Sequence, residues 1–388
     1  LMKSFYFDHA ATTPMHPSVI ETMVEVMQQG PSNASSMHHY GRQAKAHLNK
    51  ARDTFAKHLG CKPNELTFTS GGTESDNLAI IGAARAQAKK GRKGLITSSI
   101  EHHAVLHTMH WLAEHEGFKL HIVPVDETGL ISIEALKAVL DDSIGVISIM
   151  HANNEVGTIQ PIEQIGELAH QAGALLHVDA VQTLGHSSYR LAELPVDLMS
   201  FSSHKINGPQ GIGALYIASG TPLESILQGG SQERKRRAGT ENVAGIVGFA
   251  KALDICVNEC ENWQPFVNDL RIRWVELLQQ GLDQDAIVIN GHATNTLPHI
   301  VNISFIGVDT ESMLMNLDME GIAAASGSAC TSGSLERSHV LKAMGLSEER
   351  LNSAIRFSFG MGNTIEQLEE AAPIVIGIVK RLYKTVSH

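Results

Sequence analysis

Apolar residues along this chain alternate between two textures. Short runs rich in β-branched residues mark strands at 66–69, 95–99, 120–124, 145–150, 174–179, 197–201 and 213–217. Patterns of helical period lie between several of them, as at 133–140 and 162–172. This rhythm is that of a mostly parallel sheet covered by helices on both faces. A long helical stretch from 241 to about 260 then gives way, at Trp263-Gln264-Pro265, to a second pattern. Helices at 266–281, 310–320 and 364–385 mix there with strands at 300–305 and 354–358, an α+β layout. The expected architecture is α/β, with a large unit over residues 16–262 and a smaller unit formed by 263–388 together with 1–15.

In such a sheet, ligands bind beyond the carboxyl ends of the strands. Four strand ends bring polar residues to that rim: His102 after 95–99, Asn153-Asn154 after Met150, Asp179 closing 174–179, and Lys205 shortly after 197–201. Asp179 and Lys205 change the picture most. An acid to hold a pyridinium nitrogen, followed 26 residues later by a lysine able to form a Schiff base, is the pair that pyridoxal phosphate demands of a protein. The run Ser70-Gly71-Gly72-Thr73-Glu74-Ser75 suits the same ligand. It follows a strand-like run and opens a helix, so its amides and the Thr73 hydroxyl form an anion site. In isolation these residues read as an ordinary N-cap with a glycine turn; beside a cofactor lysine the phosphate reading prevails.

Composition sets limits on this reading. The 388 residues are 43% hydrophobic and 18% charged, enough for a large core and against disorder. A formal charge of −11 opposes the counterion release that drives nucleic-acid binding, so no direct nucleic-acid partner is expected. The one basic run, Arg234-Lys235-Arg236-Arg237, reads as a solvated loop or an interface feature. No apolar run reaches the length of a membrane span, and none of signal-peptide length follows Leu1. Four cysteines in so long a chain form no disulfide framework, which suits a cytoplasmic location.

The candidate ligands and thiols sort by their neighbours. His103, His107 and His110 have helical spacing but no carboxylate or thiolate partner at ligand spacing, and Cys256 and Cys260 lack a second pair, so no metal is expected. Cys330 sits among small residues and two glycines over 325–334, which predicts an adaptable, accessible loop. Taken alone, this cysteine reads as a small apolar residue in a turn; only its thiolate would be a strong nucleophile.

Taken in order, several segments resemble the cysteine desulfurases of the NifS/IscS type, in the class V aminotransferase group of fold type I pyridoxal-phosphate enzymes. They are residues 8–14 (DHAATTP), 70–77 (SGGTESDN), Glu101-His102, 151–157 (HANNEVG), 179–182, 202–208, 237–242 (RAGTEN), 326–332 (SGSACTS) and 355–358 (IRFS). The resemblance implies a fold type I transferase whose smaller unit carries the cysteine loop. It implies that Lys205 bonds the cofactor, Asp179 holds the pyridine nitrogen, and His102 stacks on the ring and assists proton transfer. Asn154 and Gln182 would address the ring hydroxyl side; Gly72, Thr73, Ser202 and His204 would hold the phosphate, joined by Thr240 from the neighbouring subunit of a homodimer.

The resemblance also gives the substrate side. Arg356, with Asn154 assisting, would clamp the carboxylate of L-cysteine. Cys330 would take the sulfur as a persulfide, leave alanine behind and pass the sulfur to an acceptor in iron-sulfur assembly, tRNA thiolation or another thio-cofactor route. Residues 360–363 (GMGN) stand where many relatives carry an arginine and hydroxyl residues. The chain also ends at His388, without the longer tail that some relatives use to dock an iron-sulfur scaffold. A class V aminotransferase or selenocysteine lyase would share the same apparatus, and Cys330 is the residue that separates them. A non-catalytic scaffold would have no need of Lys205, Asp179, His102 and Arg356 together.

Overall fold

The computed structural model describes residues 4–327, 330, 331 and 334–386, with the main chain alone for 330, 331, 334, 335 and 384–386. A two-residue strand, β1 (Phe5–Tyr6), leads into helices α1 (Pro17–Gln28) and α2 (His39–Leu59). Seven strands then build the large sheet: β2 (Leu66–Thr69), β3 (Gly94–Ser98), β4 (Lys119–Val123), β5 (Ile144–Met150), β6 (Leu175–Asp179), β7 (Leu198–Ser202) and β8 (Gly213–Ile217). Their spatial order is β2-β8-β7-β6-β5-β3-β4. Pairing is parallel from β7 to β4, while β8 runs antiparallel to both of its neighbours. The expected strands recur here with their ends shifted by no more than a residue.

Helices α3 (Gly72–Ala88), α4 (His103–His115), α5 (Ile133–Val139) and α6 (Ile162–Gln171) lie between these strands in the chain, and α7 (Val243–Gly281) follows them. Side chains alternate across a strand, so each face of the sheet must find its own cover. Ile147 and Ile149 of β5 enter a core shared with Phe55 of α2 and Phe249 of α7. Val146 joins a second core with Leu78 and Ile80 of α3 and Val105 and Met109 of α4. Both faces are therefore apolar, which is why these strands read as uninterrupted hydrophobic runs.

The stretch at 241–260 and the helix at 266–281 prove to be one helix of 39 residues, with Pro265 inside it. Proline supplies no donor for the Glu261 carbonyl, but Glu261 and Pro265 both lie on the exposed side, where water can take the missing bond. Along its first half α7 buries Ile246, Phe249 and Leu253 against the large sheet. Along its second half it buries Val267, Leu270, Trp274 and Leu278 in a different core.

That second core is shared with β9 (Ile287–Asn290), β10 (Ile300–Phe305), α8 (Thr310–Met319), β11 (Ile322–Ala323), β14 (Ala354–Ser358) and α11 (Ile365–Val386). The antiparallel pair β12 (Cys330–Thr331) and β13 (Ser334–Leu335) leads to α9 (His339–Ala343) and α10 (Glu348–Leu351), whose Val340, Leu341 and Leu351 pack with Ile100, Met150 and Val156 instead. Strands β14, β10 and β9 form an antiparallel sheet in that order. β1 pairs in parallel with β11, and Phe7 packs on Trp274 with ring centroids 5.3 Å apart, so the N-terminal residues join this second core. Among the described residues, no helix is long and apolar enough to cross a membrane.

Candidate active site

A cavity of about 480 Å³ opens at the carboxyl ends of β5, β6 and β7. Of the residues to which the resemblance gives a role, all line it except Thr240 and Cys330: Gly72, Thr73, His102, Asn154, Asp179, Gln182, Ser202, His204, Lys205 and Arg356. Thr240 is exposed and lies outside the cavity of its own chain. The thiol of Cys330 lies outside the described side chains, although Ala325 and Gly327, which precede it, are part of the lining.

Lys205 closes a short helical turn directly after β7. Its Nζ donates to the carbonyls of Ala10 at 2.5 Å and Ala11 at 2.8 Å. Burial lowers its pKa to about 8, the Arg356 charge adds to that, and Asp8 and Asp179 oppose it. Gln182 Nε2 donates to the same Ala10 carbonyl at 2.9 Å, so lysine and glutamine share one anchor.

Asp179 ends β6 and accepts from the Val181 amide at 3.0 Å. Burial raises its pKa, while the charges of His102 and Lys205 and the Val181 amide favour the carboxylate. Asp76 of α3 stands beside it. Burial, then the neighbouring Asp179 charge, push the Asp76 pKa well up, so of the two carboxyls Asp76 keeps a proton more readily. His102 caps the start of α4, its Nδ1 accepting from the Ala104 amide at 3.1 Å, which leaves the proton of the neutral ring on Nε2. The ring is open to solvent at one side, yet the protein around it still lowers its pKa by desolvation, with Lys205 adding and Asp179 opposing.

The opposite end of the cavity suits an anion. Helix α3 starts at Gly72 with no side chain capping it. A β-carbon on Gly72 would come within 2.8 Å of Val181 Cγ2, so only glycine brings the helix start against this wall. Ser202 and His204 face the same space, and burial together with Lys205 lowers the His204 pKa to about 4, leaving a neutral ring. Glu74, in the first turn of α3, would repel an anion were it not paired with Arg237 at 2.7 Å. One member of the basic run is thus a local counter-charge.

Arg356, on β14, is buried. Its Nη1 donates to the Asn154 carbonyl at 2.8 Å and its Nη2 to Asp8 Oδ1 at 3.0 Å, while Nε is buried without a partner among the described residues. The fork expected for a substrate carboxylate is therefore partly engaged by the protein. Its main chain also pairs with Ala325, whose amide donates to the Arg356 carbonyl at 3.2 Å. Among the described residues, no group of three or more His, Cys, Asp or Glu is arranged to hold a metal ion. Sequence reasoning assigned no role to Asp8 or Asp76, although both stand inside quoted motifs. Asp76 lies one helical turn after Gly72, the spacing that brings two residues to one face.

The aminotransferase class-V family model matches residues 5–370. This chain belongs to the class V aminotransferase family. A cysteine desulfurase IscS of Dictyoglomus turgidum is 43% identical over 387 residues, covering 100% of this chain and 97% of that protein. A solved NifS-like protein superposes with a TM-score of 0.91 at 37% identity, covering 98% of this chain and 100% of its own. A structure of SspA in complex with cysteine matches with a TM-score of 0.79 at 32% identity, covering 92% and 99% of the two chains. The cavity lies at the edge where parallel α/β sheets bind ligands.

Proposed function

We propose that this protein is a cysteine desulfurase that uses pyridoxal 5'-phosphate to convert L-cysteine to L-alanine, with the sulfur held as a persulfide on Cys330. The observation that carries the reading is the Lys205 amine. Its pKa is depressed to about 8, and its cavity also holds a buried carboxylate and an uncapped helix start.

Those residues fit the cofactor. Gly72 leaves the room that a β-carbon would fill, and the amides of the first turn of α3, with Thr73, Ser202 and His204, would hold the phosphate. Asp179 would pair with the ring nitrogen, His102 would cover the ring, Asn154 and Gln182 would flank its hydroxyl, and Lys205 would bond its aldehyde. Thr240, exposed on its own chain, would complete the phosphate site of a partner subunit, which makes a homodimer part of the proposal. We divide the chain into a large unit, 16–262, and a smaller one of 1–15 with 263–388, with α7 crossing the boundary.

Bound there, pyridoxal phosphate would supply an electron sink for bonds at the substrate α-carbon. Arg356 binds the substrate carboxylate, with its Nε, unpaired among the described residues, available as a donor. Lys205, with a pKa near neutrality, gives and takes the proton at that carbon, and the neutral His102 assists. The Cys330 thiolate attacks the substrate sulfur: an S–S bond forms, and the carbon–sulfur bond breaks with its electron pair kept by carbon. Carbon takes up a proton. The sum is L-cysteine plus a thiol going to L-alanine plus a persulfide, so no external oxidant is needed for this half of the cycle. Burial pushes the thiols of Cys61 and Cys256 up to about 12 and raises that of Cys260, so these are poor nucleophiles.

An acceptor protein in iron-sulfur assembly or tRNA thiolation would then take the sulfur, in the reducing cytoplasm that free thiols suit. The test is an alanine and sulfide assay with L-cysteine and a thiol reductant. Cys330→Ala is expected to keep the yellow cofactor band and lose both products; unchanged desulfuration would refute the assigned nucleophile.

A further inference from the structure

Glu155 is 2% exposed, lies in the turn after β5, and has no part in the chemistry above. Burying a carboxyl is a costly way to fill space, so what it touches matters. It touches both ends of the segment that carries Cys330. On the entering side the chain crosses it at Gly327, where a β-carbon would lie 2.8 Å from Glu155 Cγ and 3.0 Å from Oε2. The φ of +84° at Gly327 also calls for glycine. On the leaving side Ser338 Oγ donates to Glu155 Oε2 and at the same time caps α9, accepting from the Leu341 amide at 3.1 Å.

Glu155 is itself fixed. Its amide donates to Asn153 Oδ1 at 2.8 Å, and its carbonyl accepts from Asn302 Nδ2 at 3.3 Å, which ties it to the end of β5 and to β10. The neighbour of Ser338, His339, donates from Nε2 to the Glu101 carbonyl at 2.8 Å, beside His102. The leaving side is thereby fastened to the wall of the cavity.

We infer that Glu155 is a positioning residue, a clasp that joins Gly327 to Ser338 and so sets where the Cys330 segment leaves and rejoins the cavity wall. The inference rests on Cys330 being the residue that accepts the sulfur. Holding both ends of a segment at a fixed separation raises the local concentration of a group carried between them, and hence its rate of attack.

The test uses the holoenzyme. Glu155→Ala is expected to lower kcat for alanine formation by about tenfold or more, since misplacement alone has effects of that order. KM for L-cysteine, and the affinity for L-alanine read from the cofactor absorption, should stay within about twofold, because neither depends on the clasp. The rate at which iodoacetamide alkylates Cys330 should change in parallel with kcat. Glu155→Gln, whose amide oxygen can still accept from Ser338, should recover most of the rate. Ser338→Ala should lower kcat in the parent protein and add little in the Glu155→Ala background, a coupling that loss of the α9 cap alone would not give.

Unchanged kcat and alkylation rate in Glu155→Ala would overturn the inference, as would a matching loss of L-alanine affinity or no recovery in Glu155→Gln. If Glu155→Ala does not fold, Ser338→Ala decides: parent-like kcat and alkylation there would overturn it. A parent protein that makes no alanine would instead sink the desulfurase reading, and a Cys330→Ala variant that still makes it would sink the assignment of Cys330 as the sulfur acceptor.

Discussion

The two walls of the cavity are built in opposite ways. One is the carboxyl edge of the large sheet, where β5 and β7 are buried along their whole length. Beneath Asp76 and Asp179, Ser148 Oγ lies 2.7 Å from His177 Nδ1 and Ser200 Oγ lies 2.8 Å from His177 Nε2, so three adjacent strands are cross-linked by side chains. The other wall comes from β14 and residues 325–327, held by the main-chain bridge between Ala325 and Arg356 and by Glu155. The sheet-side wall keeps charges fixed in a low-dielectric setting, which is what holding a ring and tuning an amine require. In the second wall β14 is buried and paired with β10 over five residues, and residues 325–327 join it through the Ala325–Arg356 bridge and the Glu155 contact, an attachment that would suit a segment presenting the proposed thiol.

The contrast is broken most severely at Lys205. Lys205→Ala removes the one amine that lines the sheet-side wall among the described residues, without touching the strands that carry it. We expect alanine formation to fall by roughly 10³-fold or more, with far-ultraviolet circular dichroism unchanged, because under the proposed function the residue would both bond the cofactor and move protons. Activity within tenfold of the parent would mean that the chemical wall has been misassigned.

Arg356 stands at the seam between the walls, so it sharpens the comparison. Arg356→Lys keeps a positive charge but cannot span the Asn154 carbonyl and Asp8 while offering a second donor to a carboxylate. Charge-assisted hydrogen bonds contribute about 1.5–3 kcal/mol, so KM for L-cysteine should rise roughly ten- to a hundredfold. The bridge to Ala325 is made by main chain, so kcat should change less than KM. Steady-state kinetics on L-cysteine decide this; a fall confined to kcat would show that Arg356 serves the thiol-bearing wall.

How much of this was legible followed from how locally each feature is encoded. Strands covered on both faces show as unbroken apolar runs, so the large sheet and the residues at its carboxyl ends could be read directly. β9 could not, although Ile287-Val288-Ile289 is a β-branched run of the same kind, because at three apolar residues it falls below the length at which such a run marks a strand. α7 was split at Pro265 because a missing donor costs little where water replaces it, and exposure is invisible in sequence. Asp8 meets Arg356 across 348 residues, and no local pattern announces that pairing. Glu155 sat inside a motif, yet its contacts with Gly327 and Ser338 exist only in three dimensions. Cys330 carried no local signal beyond small neighbours; its part came from resemblance alone.

The smallest of the expected effects is the most specific to the sheet-side wall. An amine must be neutral to add to an aldehyde, so capture of pyridoxal phosphate by the apoprotein should follow the neutral fraction of Lys205. Its pKa lies near 8 against an ordinary 10.5, because burial disfavours the charged form. A lowered lysine pKa moves the gain to lower pH. The capture rate, followed by the growth of the cofactor absorption band, should climb about tenfold per pH unit below the midpoint. Between pH 8 and 9 it should rise less than about twofold, since a group half neutral at 8 has little left to lose. An unburied lysine would still gain about tenfold over that last unit, so a rate that keeps climbing to pH 9 would mean that the wall around Lys205 does not desolvate its amine.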